Sequence, residues 1–178
     1  MPLMQFREGV VDTLVWGNGS AQFTLLHASA TGPKSLTGLA ERLSHADRRF
    51  VAPAFAGYGQ TQMGPRDGGR LAVNQAIAEA VLQSRSSDLR VLFGHSMGGL
   101  VALLSADDEV RRGTPLDGLG LNEPILVDLL DVQEPAQLEA RDWDRDAGNQ
   151  LGHNVRLGDA EAGGRYFGEA WNETSGES

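Results

Sequence analysis

Cysteine is absent from all 178 residues, which excludes disulfides, thiolate metal sites and a cysteine nucleophile. Cations are scarce beside anions. Fifteen Lys and Arg stand against 24 Asp and Glu, a net charge of −9 that argues against nucleic acid or an anionic membrane as a partner. Long apolar runs are missing too. The most apolar segment, Val91 to Leu104, is broken by His95 and by Gly94, Gly98 and Gly99, and it is shorter than the ~20 residues of a membrane span. Met1 to Glu8 does not read as a secretory signal, so the cytoplasm is the expected location. No metal or cofactor is expected. The acidic run Asp142 to Asp146 lacks the spaced ligands and glycine of a calcium loop and reads as a solvated face. Gly57-Tyr58-Gly59 is too short for a dinucleotide fingerprint. What remains is an ordinary globular chain, 40% hydrophobic and 22% charged, long enough for one domain with a real core.

Apolar runs alternate with amphipathic ones. Val10 to Trp16 is β-rich and alternating, and the turn Gly17-Asn18-Gly19 behind it is a hairpin signal. Phe23 to Leu26, Phe50 to Pro53, Leu89 to Phe93 and Gly118 to Leu121 read as strands. Helical spacing covers Ser35 to His45, with Leu36, Leu39, Ala40 and Leu43 on one face, and Arg70 to Ser84, with Leu71, Val73, Ile77 and Val81. Strands alternating with helices predict an α/β fold, a mostly parallel sheet with helices on both faces. Ligands in such sheets bind at the carboxyl ends of the strands, and His27, Ser96 and Glu123 each fall just after one. Beyond Asp131 the chain changes character. Glu134 to Trp143 and Asp159 to Trp171 read as charged helices with no strand between them, and the polar tail Asn172 to Ser178 is expected to fray.

Gly94-His95-Ser96-Met97-Gly98 lies between the strand at Leu89 and the apolar run Leu100 to Leu104. A Gly-x-Ser-x-Gly between strand and helix is the nucleophile elbow. A serine hydroxyl needs a base for its proton and donors for the oxyanion its attack creates. The turn lifts Ser96 above the sheet edge at a helix N-terminus. The N–H of Met97 is then one oxyanion donor, and the loop after His27 supplies the second.

With these segments in view the chain resembles the α/β-hydrolase fold family. Leu25 to Ala30 is similar to its His-Gly oxyanion loop, and Phe50 to Thr61 to its "aPDlpGyGrS" segment. Gly94 to Gly99 is the elbow, Leu119 to Leu130 resembles the sixth core strand with the start of the cap, and Gly158 to Asn172 looks like a pair of cap helices. The resemblance implies a hydrolase core over residues 1–124 and a partial helical cap over 125–178. It makes Ser96 the nucleophile and assigns the oxyanion donors to the N–H groups of Ser29 and Met97, with His27, Ala28 and His95 as binding residues around them. Two positions depart from the pattern. Ala28 replaces a glycine, a mild change where φ is negative, and Ala54 replaces an aspartate, which removes a loop hydrogen bond.

A third departure is larger. The family's acid and histidine follow its seventh and eighth strands, and the sequence stops inside cap-like residues, which implies a C-terminally truncated member. Among the residues present, Glu123 is the acid candidate and His153 the base candidate, in the required order after Ser96. Glu123-Pro124 is expected rather as the start of the cap, and His153 rather as a surface residue. His45 at a helix end and Asp128 and Asp131 on a solvated helix face are expected to be structural. Two functions follow. One is a serine hydrolase that attacks a small, fairly hydrophobic ester or related carbonyl substrate through an acyl-enzyme. The other is a non-catalytic homologue, a pseudoenzyme or binding protein without the triad Asp and His. In both, an exposed sheet edge would favour dimerisation.

Overall fold

The computed structural model describes residues 3–6, 9–64, 67–84, 87–126 and 133–156, with 159, 161, 162, 165, 166 and 169. It divides into two compact units, Met1–Ile125 and Leu126–Ser178.

The first unit is built on a sheet of seven strands: β1 (Leu3–Phe6), β2 (Gly9–Trp16), β3 (Ala21–Leu26), β4 (Arg48–Pro53), β5 (Gln62–Met63), β6 (Leu89–His95) and β7 (Gly118–Asn122). The order is β1-β2-β4-β3-β6-β7, and β5 pairs β2 off this path. From β4 to β7 the strands are parallel, while β1, β2 and β5 pair antiparallel. The helices are α1 (Thr37–Arg42), extended at its start by a 3₁₀ turn at Pro33–Leu36, α2 (Gly69–Gln83) and α3 (Met97–Arg111).

Alternation along the central strands sets the layers. On β3, Leu25 packs with Leu36 and Ala40 of the α1 side, while its neighbour Leu26 packs with Ala78, Leu82, Val101 and Ala102 of α2 and α3. On β6, Phe93 and Leu92 divide in the same way. Both faces of the sheet are therefore covered, as the α/β reading expects. Leu25, Leu26, Phe50 and Leu92 are essentially fully buried, and each such side chain contributes about 1.5–3 kcal/mol of hydrophobic stabilisation.

The hairpin expected at Gly17-Asn18-Gly19 does not form, because β2 pairs with β1, β4 and β5 and not with β3. The glycines there serve another purpose. A Cβ on Gly17 would strike the carbonyl of Arg48, and one on Gly19 the backbone of Asp47, so the chain crosses closely over the start of β4. The short strands β1 and β5 carry too few residues for a readable period.

The second unit carries α4 (Pro135–Arg156), which runs well beyond the expected Glu134–Trp143. Arg145 sits 2.8 Å from Asp142 on its surface, so the acidic run is a solvated helix face. No group of His, Asp and Glu among the described residues could hold a metal ion. No described helix is long and apolar enough to cross a membrane. Asp128, Asp131, the tail 172–178 and most of the stretch 159–171 lie outside the described residues.

Candidate active site

The parallel register aligns Leu26 with Gly94 and Gly94 with Leu121, so the segments after β3, β6 and β7 emerge on one edge. His27, Ser96 and Glu123 are brought together there.

Ser96 is the single residue between β6 and α3, with φ 54° and ψ −118°. A non-glycine residue in that region is strained by about 1–3 kcal/mol and persists only where its surroundings hold it. Here both backbone groups are held. The N–H of Ser96 donates to Asn122 O at 2.9 Å, and its carbonyl accepts from Gly99 at 2.8 Å and Leu100 at 3.2 Å. The neighbouring glycines make the turn feasible. A Cβ on Gly94 would overlap the carbonyl of Gly98, one on Gly98 the carbonyl of Leu26, and one on Gly99 would press on Pro124. The sequence Gly-x-Ser-x-Gly-Gly is thus dictated by backbone packing between β6, α3 and their neighbours.

Ser29 and Met97 line one cavity of about 120 Å³, with Phe55, Ala56 and Leu71 as its apolar wall. Tyr58, Arg70 and Asn74 supply its polar groups. The N–H groups of Ser29 and Met97 have no partner among the described residues. That of Met97 is one of the open donors of a helix N-terminus. A larger cleft of about 660 Å³ lies between β1 and α2, lined by residues such as Phe6 and Glu79, and holds none of the candidate catalytic residues.

The loop after β3 is braced from behind. His27 is 0% exposed and packs its ring against Phe55 and Tyr58, both at 4.6 Å. Its Nδ1 lies 2.7 Å from the Ala28 carbonyl, and its Nε2 accepts from the N–H of Phe55 at 3.1 Å. A carbonyl cannot donate and an N–H cannot accept, so the ring is neutral with its proton on Nδ1. Burial holds its pKa below the ordinary imidazole value, opposed by the bond to Ala28. His27 therefore has no free nitrogen with which to take a proton from Ser96. The Tyr58 hydroxyl accepts from Ala30 N–H, and Ala30 takes a positive φ of 63°. Ala28 is not among the residues with positive φ, so its replacement of glycine is strain-free.

Ala54, at the position where an aspartate was expected, is fully buried. The loop bond it lacks is supplied from elsewhere. Asp12 of β2 accepts from Gln60 N–H at 3.2 Å, and Thr61 Oγ1 donates to Ala54 O at 2.8 Å while accepting from Asp12 N–H at 3.1 Å. The sequence reading missed Asp12 and Thr61 because the contact spans 49 residues.

The remaining ionisable candidates make no hydrogen bond to Ser96 among the described residues. His95 faces Glu123, Nε2 to Oε2 3.7 Å, and Glu123 is 83% exposed with φ 45°. His45 pairs with Asp47 at 2.6 Å and holds that carboxyl below its usual range. His153 lies on α4 of the second unit and is exposed.

Residues 24–176 match the model of the Alpha/beta hydrolase family. No curated protein matches the chain. Among solved structures, similarity extends to an alpha/beta hydrolase enzyme from a Medee basin deep-sea metagenome library, with TM-score 0.68 and 14% identity over 93% of this chain and 55% of that one. The thioesterase domain from the curacin biosynthetic pathway gives TM-score 0.58 and 21% identity over 69% and 45%. An epoxide hydrolase from an endophytic Streptomyces gives 0.56 and 22% over 67% and 35%. At these identities the likeness is one of fold, and the chain spans about half the length, or less, of the structures it matches. A match over this much of the chain states the family directly: this chain belongs to the Alpha/beta hydrolase family.

Proposed function

We propose that Ser96 is the nucleophile of a serine hydrolase acting on a small ester or related carbonyl compound. The observation that carries this reading is the strained, doubly tethered backbone of Ser96 beside two unpartnered N–H groups that line a common cavity. In the first step Ser96 Oγ attacks the carbonyl carbon and its proton passes to a base. The carbonyl oxygen becomes an oxyanion held by the N–H groups of Ser29 and Met97. Collapse expels the alcohol or thiol and leaves an acyl-enzyme, which water hydrolyses to release the acid and regenerate Ser96. Phe55, Ala56 and Leu71 suit a short apolar portion of the substrate. Glu123 and His153 are the acid and base candidates of this reading.

One observation favours a second reading. The three described histidines of the first unit face other partners, His27 its own loop, His45 Asp47 and His95 Glu123. A homologue without a working base would bind the same small molecules and turn them over weakly. Oxyanion-hole and binding effects alone leave roughly 10³–10⁴-fold catalysis over water.

Hydrolysis of 4-nitrophenyl acetate separates the two. The enzyme reading expects turnover with a burst of 4-nitrophenolate, lost in Ser96→Ala and reduced at least about tenfold in His153→Ala. Slow release that is equal in wild type and Ser96→Ala supports the binding protein instead.

A further inference from the structure

The cavity beside Ser29 and Met97 carries a cation that the proposed reaction does not use. Arg70 lines it, and its guanidinium makes no hydrogen bond or ion pair among the described residues. Other arginines of the same unit are engaged: Arg90 with Glu109, Arg111 with Asp107 and Arg112 with Glu79. Helix stability does not explain Arg70. It is the second residue of α2, where the helix dipole disfavours a cation, and the first turn of α2 contains no acid to offset it. Among the described residues no carboxylate lines the cavity either.

Asn74 stands four residues on, on the same helix face, and lines the same cavity. It is 4% exposed, and its Oδ1 accepts from Ala56 N–H at 3.0 Å. That bond fixes which way the amide points, because only the oxygen can accept. The NH₂ must lie on the other side, where it donates to nothing among the described residues. Arg70 and Asn74 thus line one small cavity together with Ser29 and Met97, and no carboxylate among the described residues lines it with them.

We infer that the site takes a substrate bearing a carboxylate, which Arg70 and Asn74 hold while the reacting carbonyl sits at Ser96. The inference rests on the assignment of Ser29 and Met97 as oxyanion donors. The cavity volume of about 120 Å³ keeps the two groups close, so the substrate class is the monoester of a short dicarboxylic acid. A planar guanidinium suits a carboxylate in two-point contact, and a charge-assisted bond discriminates by roughly ten- to a hundredfold against a neutral group.

The test compares monomethyl succinate with dimethyl succinate by NMR titration of wild type, Arg70→Gln and Arg70→Lys, each checked for folding by circular dichroism. Wild type is expected to bind the monoester at least about tenfold more tightly, with the preference shrinking as salt is raised. Arg70→Gln loses the preference and Arg70→Lys keeps part of it. Equal affinity for the two esters, no binding of either, or a preference unchanged in Arg70→Gln overturns the inference. Labelling of Ser96 by a serine-directed phosphonate, run in parallel, reports on the nucleophile. A monoester preference without labelling contradicts the catalytic reading and leaves the anion site standing, whereas labelling without a preference does the reverse.

Discussion

His27 shows how a histidine on the edge that carries Ser96 is held in a structural role by its partners. Both ring nitrogens are committed, and only the neutral ring satisfies both bonds. The native state therefore disfavours the imidazolium, and the folded pKa lies below the unfolded value of 6.5. The unfolded chain then binds the proton more readily, so this contribution to stability is fully present above 6.5 and is lost as pH falls toward the folded pKa. Thermal melts between about pH 7 and 5, above the range where carboxylates titrate, should show stability declining with pH, and His27→Gln should be less stable at pH 7 with a flatter profile. A wild-type profile that is level across this range contradicts the assigned tautomer. At Asp12 the loop bond to Gln60 predicts that Asp12→Ala costs about 1–2 kcal/mol in urea unfolding, with Asp12→Asn closer to wild type. The nucleophile candidate was legible from its flanking glycines. Asp12, Asn74 and Arg70 were not, because their roles arise from contacts or a cavity between segments far apart in sequence, although a cation opening α2 was a readable anomaly.

At the scale of elements, the central strands and α2 were legible because their side chains repeat with the period of the structure, and β3, β4, β6 and α2 lie within two residues of their expected ends. The false hairpin after β2 has a physical cause. Gly17-Asn18-Gly19 has hairpin turn composition, but its glycines answer to the close passage of Arg48 and Asp47, a tertiary demand that local pattern does not encode. The elbow makes a sharper prediction. A Cβ on Gly98 meets the carbonyls of Leu26 and His27, which are backbone atoms at the end of the central strand and cannot rotate away. Gly98→Ala is expected to lower stability by about 1–3 kcal/mol or more, whereas the control Gly38→Ala meets nothing within 4 Å and should be neutral or stabilising. Chemical denaturation of both variants checks this, and equal stabilities contradict the packing account of the motif.

Across the whole molecule, one parallel edge collects Ser96 and the loop after β3, and a network at the other end of β6 anchors that strand. Glu109 of α3 is almost fully buried and is held by Arg90 at 2.8 Å, Thr114 at 3.1 Å and Arg112 at 3.3 Å. Removing Arg90 leaves a buried carboxylate short of its main partner, so Arg90→Met is expected to cost about 3–5 kcal/mol in equilibrium unfolding, and Arg90→Met combined with Glu109→Leu to recover much of it. The fold class was legible from the alternation of strands and helices. Whether a base serves Ser96 was not, because the order of residues along a chain does not fix which side chains meet. The central claim is that Ser96 is an activated nucleophile. Intact-mass measurement after exposure to a fluorophosphonate tests it most directly. One phosphonyl adduct on wild type, mapped to Ser96 and absent from a folded Ser96→Ala variant, is the predicted result. A folded wild-type protein that takes up no adduct contradicts it.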